Sequence, residues 1–361
     1  MAGDLVGLHG TDPASVIIAA AARLIRPDVA PIERALYEDR SLVRILGMRR
    51  TMFVAPLHLA AVIQAACTRA IAVLERRKAI ELFARAGLAA DPKAWLEDVE
   101  GSTLRALTAR GEALATELGE DEPRLRLEIV VPDAKTYGGH VNVVTRILFL
   151  LAADGRIVRG RPRGTWISSQ YRWSTAESWL GGPIPELDVD EARVELVRRW
   201  LAAFGPGTEA DIKWWTGLTL GEVRRALTAI ATATVDLDGN VGLVLEDDLE
   251  PTPPPEPWAA FLPALDPTVM AWAGRDWYLG EHRGALFDRN GNAGPTIWWD
   301  GRGVGGWASG KTGGIATRLL RDSGVEAARA IEAESQRLAA WLGSTRVTPR
   351  FRTPLEQELS T

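Results

Sequence analysis

The sequence predicts an α+β protein in which tandem winged helix-turn-helix units are followed by a C-terminal β-rich domain. Three observations favour this fold class. Residues 188–250 have the pattern of three helices and a β-hairpin, and a similar order of elements occurs earlier in the chain. A proline-rich stretch at 251–257 then precedes short segments separated by glycine and asparagine turns, which are typical of a small sheet or barrel.

The segment 188–250 carries the clearest winged-helix pattern. Three helices are predicted in it, over 191–204, 209–216 and 220–230. Thr208 is expected to cap the second helix and Gly217 to end it, because these residue types are preferred at those positions. Residues 233–245 alternate in polarity around an Asp-Gly-Asn turn, which indicates a β-hairpin. Helices followed by such a hairpin form a winged helix-turn-helix.

Two earlier segments repeat this order. In the first, a helix over 32–46 precedes a strand over 49–56. In the second, helices are predicted over 92–110, 111–118 and 142–153, and strands over 155–160 and 164–173. We therefore expect a first winged helix at 1–56, a linking helix at 57–90, a second winged helix at 91–180, a third at 188–250, a stiff linker at 251–257, and a β-rich domain with a terminal helix at 258–361.

The composition excludes several classes of protein. The net charge is −5, so any nucleic-acid binding needs a local basic surface and not bulk attraction. The single cysteine, Cys67, excludes a disulfide framework, and the four histidines lack metal-ligand spacing. We find no signal peptide and no uncharged apolar run of about 18 residues. We therefore expect a cytoplasmic protein with no membrane span, no metal and no other cofactor.

A basic stretch lies on the predicted wing of the second unit. Between 155 and 172 the chain has five arginines and no acidic residue, with aromatic side chains among them. Such a wing suits contact with DNA phosphates and entry into the minor groove; the alternative is a solvated basic hairpin with core aromatics. Arginine pairs on the first wing and on the last helix of the third unit are further candidates, with a solvated face as their alternative. The candidate DNA-binding residues are Arg49, Arg50, Arg156, Arg159, Arg161, Arg163, Trp166, Tyr171, Arg172, Arg224 and Arg225.

Five stretches of the chain carry a family resemblance. They are Gly-Leu-His-Gly-Thr-Asp-Pro at 7–13, Met-Arg-Arg-Thr-Met-Phe-Val at 48–54, Gly-Pro-Gly-Thr-Glu-Ala-Asp at 205–211, Leu-Pro-Ala-Leu-Asp-Pro at 262–267 and Val-Gly-Gly-Trp at 304–307. Together they resemble the winged-helix DNA-binding proteins of the AlkZ and YcaQ type over nearly the whole chain. The resemblance implies tandem winged helices, a C-terminal β-rich domain, and DNA glycosylase activity on bulky or crosslinking alkylpurine adducts.

The catalytic pattern of that family, Gln-x-Gln or Gln-x-Asp in a loop before a helix, falls on His9-Gly10-Thr11. Both glutamines are absent here. His9 can accept a hydrogen bond from water, Thr11 offers a hydroxyl and Asp12 offers negative charge near a sugar cation, so these three are the candidate catalytic residues. The structural alternative is that Asp12 caps a helix beginning at Pro13, with Thr11 sharing that role. His9 would then pack in the structure or contact DNA without chemistry.

Two functions stay open at this level. One is a monofunctional DNA glycosylase for alkylated or crosslinked purines. The other is a non-catalytic winged-helix protein, either a transcriptional regulator or a damage binder, which the missing glutamines favour. Three linked winged helices suit a monomer that encircles double-stranded DNA at a lesion. Relatives usually carry a further helix before the loop, whereas this chain starts eight residues before His9, so we expect either a misassigned start or an incomplete first winged helix.

Overall fold

The computed structural model of the protein describes residues 1–130, 139–310 and 313–361. These residues form two compact units. The central unit comprises residues 33–196, and the terminal unit brings together residues 1–32 and 197–361. Helices and antiparallel strands alternate along the chain, so the predicted α+β class is confirmed.

The described residues contain the following helices and strands. The helices are α1 (Pro13–Ala21), α2 (Val29–Tyr37), α3 (Leu57–Ile63), α4 (Arg69–Arg85), α5 (Pro92–Arg110), α6 (Ala115–Asp121), α7 (Val143–Ala153), α8 (Ala176–Leu180), α9 (Val189–Phe204), α10 (Glu209–Thr216), α11 (Leu220–Leu227), α12 (Asp276–Leu279), α13 (Arg283–Leu286), α14 (Gly324–Leu342) and α15 (Pro354–Leu359). The strands are β1 (Leu8–His9), β2 (Leu42–Leu46), β3 (Met52–Pro56), β4 (Glu128–Val130), β5 (His140–Asn142), β6 (Ile157–Pro162), β7 (Tyr171–Thr175), β8 (Thr232–Leu237), β9 (Asn240–Leu245), β10 (Ala259–Leu262), β11 (Thr296–Trp299), β12 (Arg302–Ser309) and β13 (Ile315–Leu319).

Helices and antiparallel strand pairs make up the central unit. β2 pairs with β3, β4 with β5 and β6 with β7. Helices α4, α5 and α7 bury an apolar core that includes Phe83 and Leu96. α5 has its predicted bounds because local signals set both ends: Asp91 accepts backbone N–H groups of the first turn, and Gly111 adopts a φ of +75° just after the last turn.

The three helices and the hairpin predicted within 188–250 are present in the structure. α9, α10 and α11 precede the β8–β9 hairpin. Thr208 and Asp211 form a reciprocal capping box at the start of α10, and Gly217 follows its end. Asp238 and Gly239 occupy the hairpin turn with φ values of +52° and +87°, as a type I′ turn requires.

A four-stranded antiparallel sheet follows the proline-rich segment. Its strand order is β10-β11-β12-β13. α14 packs against β10 and β11, and α15 packs against β12. Leu265, Tyr278 and Trp298 are buried in the core of this part of the terminal unit. The structure therefore has the sheet and terminal helix that the sequence predicts beyond residue 257.

The structure corrects two predicted elements near residue 45. The helix predicted over 32–46 is wrong, because α2 ends at Tyr37 and β2 is a strand paired with β3. The aliphatic side chains of β2 fit either period, so its partner strand decides the conformation. The strand predicted over 49–56 begins only at Met52. Arg49 and Arg50 instead form the turn before it, with φ values of +53° and +63°.

Several further elements are displaced from their predicted bounds. The strand predicted over 155–160 is β6, which runs from Ile157 to Pro162, and the helix predicted over 191–204 is α9, which begins at Val189. The helix predicted over 111–118 is α6, which begins later because Ala113 forms a β-bridge with Trp173. The strand predicted over 164–173 is β7, which runs from Tyr171 to Thr175. The helix predicted over 220–230 ends at Leu227.

The segment Leu57–Arg85 is one continuous helix in which a π-helical turn at Gln64–Thr68 joins α3 to α4. Within the described residues it is the one helix long and apolar enough, by length and composition, to cross a membrane. Of its apolar window, 61% is buried inside the protein, as in the core helix of a folded domain.

Candidate catalytic loop and DNA-binding surface

The candidate catalytic loop, residues 8–12, leads directly into a buried helix. All nine residues of α1 are buried, and Pro13 occupies the first turn. Asp12 caps this helix, because its Oδ1 accepts the backbone N–H of Ala14 at 3.0 Å. Its Oδ2 accepts the backbone N–H of Arg350 at 2.8 Å. The start of α1 is therefore tied both to its own first turn and to the C-terminal segment of the same unit.

The Asp12 carboxyl lies in a nearly dry environment. The residue is 3% exposed, and burial raises the pKa of its carboxyl above the ordinary value, while the N–H groups of Arg350 and Ala14 oppose that shift. A cavity of about 10 Å³ lies against Asp12, Pro263 and Trp307. A single water needs roughly 10–15 Å³ of this kind of space. Asp12 is thus a buried acceptor with room for one water beside it.

A buried ion pair holds the other end of α1. Nη1 and Nη2 of Arg23, just beyond the helix, donate to the two carboxylate oxygens of Asp266 at 2.8 and 2.7 Å. Nη2 also donates to Oγ1 of Thr268 at 2.9 Å. Asp266 is 1% exposed, so this bidentate pair lies within the fold. Sequence reasoning missed Arg23, because its partner is 243 residues away and no local pattern links the two.

His9 and Thr11 lie immediately before this anchored cap. His9 belongs to β1 and is 6% exposed, whereas Thr11 is half-buried. Because Asp12 fixes the start of α1, the residues before it are positioned by a buried helix. The burial of His9 limits the access of water to its ring, which adds weight to the structural alternative. The catalytic roles of these residues stay predictions.

Acidic residues from outside the basic stretch neutralise part of its charge. Arg161 on β6 lies 3.0 Å from Glu33 and 3.3 Å from Glu38. Arg172 on β7 lies 3.5 Å from both Glu112 and Glu117. Negative charge therefore opposes part of the positive charge of this hairpin, although no acidic residue lies between 155 and 172.

Two arginines of the same hairpin region keep their charge exposed. Arg156 and Arg163 are both exposed, and within the part of the chain that the structure describes neither forms an ion pair. A solvated, unpaired guanidinium can be transferred to a phosphate without breaking an internal salt bridge. Arg156 and Arg163 are therefore the strongest phosphate-binding candidates of the basic stretch.

The aromatic residues of this hairpin are largely internal. Tyr171 is 6% exposed, and the guanidinium groups of Arg44 and Arg159 lie 4.7 and 5.4 Å from its ring centroid. Arg159 also lies 5.0 Å from the ring of Trp173. The burial of its ring favours the alternative of a core aromatic at Tyr171, and contact of Tyr171 with DNA stays a prediction. Trp166, in the connection between β6 and β7, is half-buried.

The two arginine pairs outside this hairpin are partly engaged in ion pairs. Nη2 of Arg50 lies 3.0 Å from Oε2 of Glu75, and Arg49 is half-buried beside it in the β2–β3 turn. Nη2 of Arg224 lies 2.9 Å from Oε2 of Glu209. Arg225 is exposed on α11. A solvated face therefore describes these pairs only in part, because one arginine of each pair also forms an ion pair between two secondary-structure elements.

Comparison with known families assigns the class of protein. Residues 2–341 match the family described as "DNA glycosylase AlkZ-like". The chain therefore belongs to the AlkZ-like DNA glycosylase family, and membership implies DNA as its partner. Among solved structures, the Streptomyces sahachiroi DNA glycosylase AlkZ is similar in fold, with a TM-score of 0.68 at 20% identity over 96% of this chain and 91% of that chain. A search of curated proteins gave no match.

Proposed function

We propose that the protein is a monofunctional DNA glycosylase that binds double-stranded DNA as a monomer. Its reaction is hydrolysis of the N-glycosidic bond of alkylated or crosslinked purines. Family membership supports the reaction class. The observation that carries the catalytic assignment is the anchoring of Asp12, which holds loop 8–12 at the start of a buried helix, where the family has its catalytic pattern.

The proposed hydrolysis requires only a few functional groups from the loop. A purine alkylated at N7 or N3 is cationic, so it leaves with the electron pair of the glycosidic bond and needs no prior protonation. The enzyme has to place a water and stabilise an oxocarbenium-like sugar. In this proposal, His9 and Thr11 orient the water, whose oxygen bonds to C1′ while its proton passes through His9 to solvent. The Asp12 carboxylate supplies negative charge near the sugar cation.

DNA binding in this proposal depends on the β6–β7 region, the β2–β3 turn and α11, which we take to be parts of winged-helix units. Arg156 and Arg163 contact phosphates, because they are exposed and carry no internal ion pair among the described residues. Arg49, Arg225 and Trp166 are secondary DNA-binding residues. Removing one arginine–phosphate interaction reduces the slope of log K against log salt by about 0.9 on duplex DNA.

The test uses duplex DNA that contains N7-methylguanine, with abasic sites detected by alkaline strand cleavage. His9→Ala and Thr11→Ala should each lose base release while retaining duplex affinity. His282→Ala is the matched control, since it removes a half-buried histidine of the same unit outside the loop. Base release that is equal in wild type and in both loop variants would remove the loop from the mechanism.

A non-catalytic DNA-binding protein is the second candidate function, and the burial of His9 favours it. This alternative predicts that wild type binds duplex DNA and releases no base from N7-methylguanine, N3-methyladenine or crosslinked substrates. Base release by wild type on any of these substrates would exclude it.

A further inference from the structure

A separate cavity of about 520 Å³ lies in the terminal unit, between the tip of the β8–β9 hairpin and the segment 272–277. Small-molecule sites usually have volumes of about 300–1,000 Å³. None of the residues considered for glycosylase chemistry or DNA contact lines this cavity. The volume is therefore sufficient for a small ligand that the proposed function does not use.

Two indole rings form perpendicular walls of this cavity. The centroids of Trp272 and Trp277 are 5.1 Å apart, and their planes meet at 82°. Trp272 is held in place, because its Nε1–H donates to the backbone carbonyl of Phe204 at 3.1 Å. Trp277 is 54% exposed. One indole is thus fixed by the fold, and the other is exposed, although an indole of this size is usually covered.

The charged side chains that line the cavity are all negative. They are Asp211, Asp236 and Asp238, and no lysine, arginine or histidine is among the lining residues. Asp211 is structural, because its oxygens accept the backbone N–H groups of Thr208 at 3.0 Å and Ala273 at 2.8 Å. Asp236 uses one oxygen to accept the N–H of Gly239, at 2.9 Å.

The carboxylates at the hairpin tip are available to interact with a ligand. Asp236 and Asp238 are exposed, and within the described residues neither is paired with a cationic side chain. The type I′ turn holds Asp238 at a φ of +52°, so the turn fixes the position of its backbone. The cavity thus combines two indole faces with two available carboxylates. Indole faces attract cations, and aromatic walls of this kind are used to recognise alkylated ammonium groups; the carboxylates supply the opposite charge.

We propose that this cavity binds a small organic cation with an alkylated ammonium group. The cation lies against the faces of Trp272 and Trp277, and Asp236 and Asp238 provide charge complementarity. The same negative charge excludes DNA phosphates from the cavity. The site is independent of the proposed glycosylase activity, since it shares no residue with loop 8–12 or with the β6–β7 hairpin.

The test measures binding of choline to the full-length chain by calorimetry and tryptophan fluorescence. Its uncharged isostere, 3,3-dimethylbutanol, should bind at least about tenfold more weakly, because it lacks the charge that the indoles and carboxylates recognise. Trp277→Ala and Asp238→Asn should each weaken choline binding by about fivefold or more. Asp238 is on the surface, so Asp238→Asn should keep the thermal stability of wild type. Trp277→Ala also loses ring contacts with Trp272 and Tyr278, so thermal unfolding is measured first to establish that this variant is folded.

Trp258→Ala and Asp248→Asn are matched controls, since each removes an exposed side chain of the same type outside the cavity. Both should bind choline as wild type does. Equal binding of choline and its uncharged isostere would overturn the proposal. So would unchanged choline affinity in folded Trp277→Ala and Asp238→Asn, or no heat and no fluorescence change at any choline concentration.

Discussion

Replacing Asp266 with alanine removes one partner of the buried pair that holds the C-terminal end of α1. Both oxygens of Asp266 are bonded to Arg23, and Oδ1 also accepts the backbone N–H of Thr268 at 2.9 Å. Breaking a buried pair from one side costs about 3–5 kcal/mol, because the remaining charge stays desolvated. Leaving the Thr268 N–H without its acceptor adds about 1 kcal/mol. We discount this sum because Arg23 retains 19% exposure of its side chain, and expect a loss of about 4 kcal/mol.

The double variant Arg23→Met/Asp266→Leu separates this electrostatic cost from packing. It removes both charges and keeps apolar volume, so it should recover most of the stability lost in Asp266→Ala. The free energy of unfolding is measured by urea titration with tryptophan fluorescence, in wild type and in both variants. The reasoning is refuted if Asp266→Ala lies within about 1 kcal/mol of wild type, or if the double variant is no more stable than the single one.

Three further predictions concern charge. Arg156→Ala/Arg163→Ala should weaken duplex binding and flatten its salt slope by about 1.8, whereas Arg321→Ala/Arg329→Ala, which removes two exposed arginines elsewhere, should leave the slope unchanged. The Arg124 guanidinium lowers the pKa of Glu122 to about 2, so the stability that Glu122 contributes is complete above pH 4.5 and is lost as the pH falls towards 2. The advantage of wild type over Glu122→Gln, at most about 3 kcal/mol at pH 7, should therefore shrink across that window in urea titrations; a constant difference would contradict this. Asp12→Ala should destabilise the protein by about 2 kcal/mol more than Asp12→Asn, since alanine leaves two backbone N–H groups without acceptors, whereas the asparagine oxygen can still accept one of them.

Elements with local signals at both ends could be predicted from the sequence. α5 and α10 have their predicted bounds because a capping side chain begins each helix and a glycine follows its end. The β8–β9 hairpin was predictable for the same reason, since Asp-Gly fits the left-handed positions of its turn. In each case the deciding residues lie within a few positions of the element.

Features that depend on distant residues could not be predicted in this way. β2 is a strand because β3 pairs with it, and its own aliphatic sequence fits a helix equally well. The charge of Arg161 is neutralised by an ion pair with Glu33, which is 128 residues away in the chain. A count of acidic residues inside the stretch cannot detect a partner that only the fold brings near. The same limit applies to Arg23 and Asp266.

The stretches that carry the family resemblance at 7–13, 262–267 and 304–307 meet at the start of α1. Asp12, Pro263 and Trp307 line the same small cavity, and the Trp307 Nε1–H donates to the backbone carbonyl of Leu262 at 2.9 Å. Asp12 anchors the start of α1, because its carboxylate oxygens accept the backbone N–H groups of Ala14 and Arg350.

The role of residues 9 and 11 can be tested by installing the residues of the family pattern in the loop. His9→Gln/Thr11→Gln installs the two glutamines of the family pattern and leaves the backbone contacts of Asp12 with Ala14 and Arg350 in place. If the loop performs the chemistry, this variant should release N7-methylguanine from duplex DNA at least as fast as wild type, because glutamine orients a water by hydrogen bonding. A loss of more than about 3 kcal/mol in unfolding free energy would instead show that His9 and Thr11 belong to the scaffold, and the catalytic assignment of the loop would fail with it.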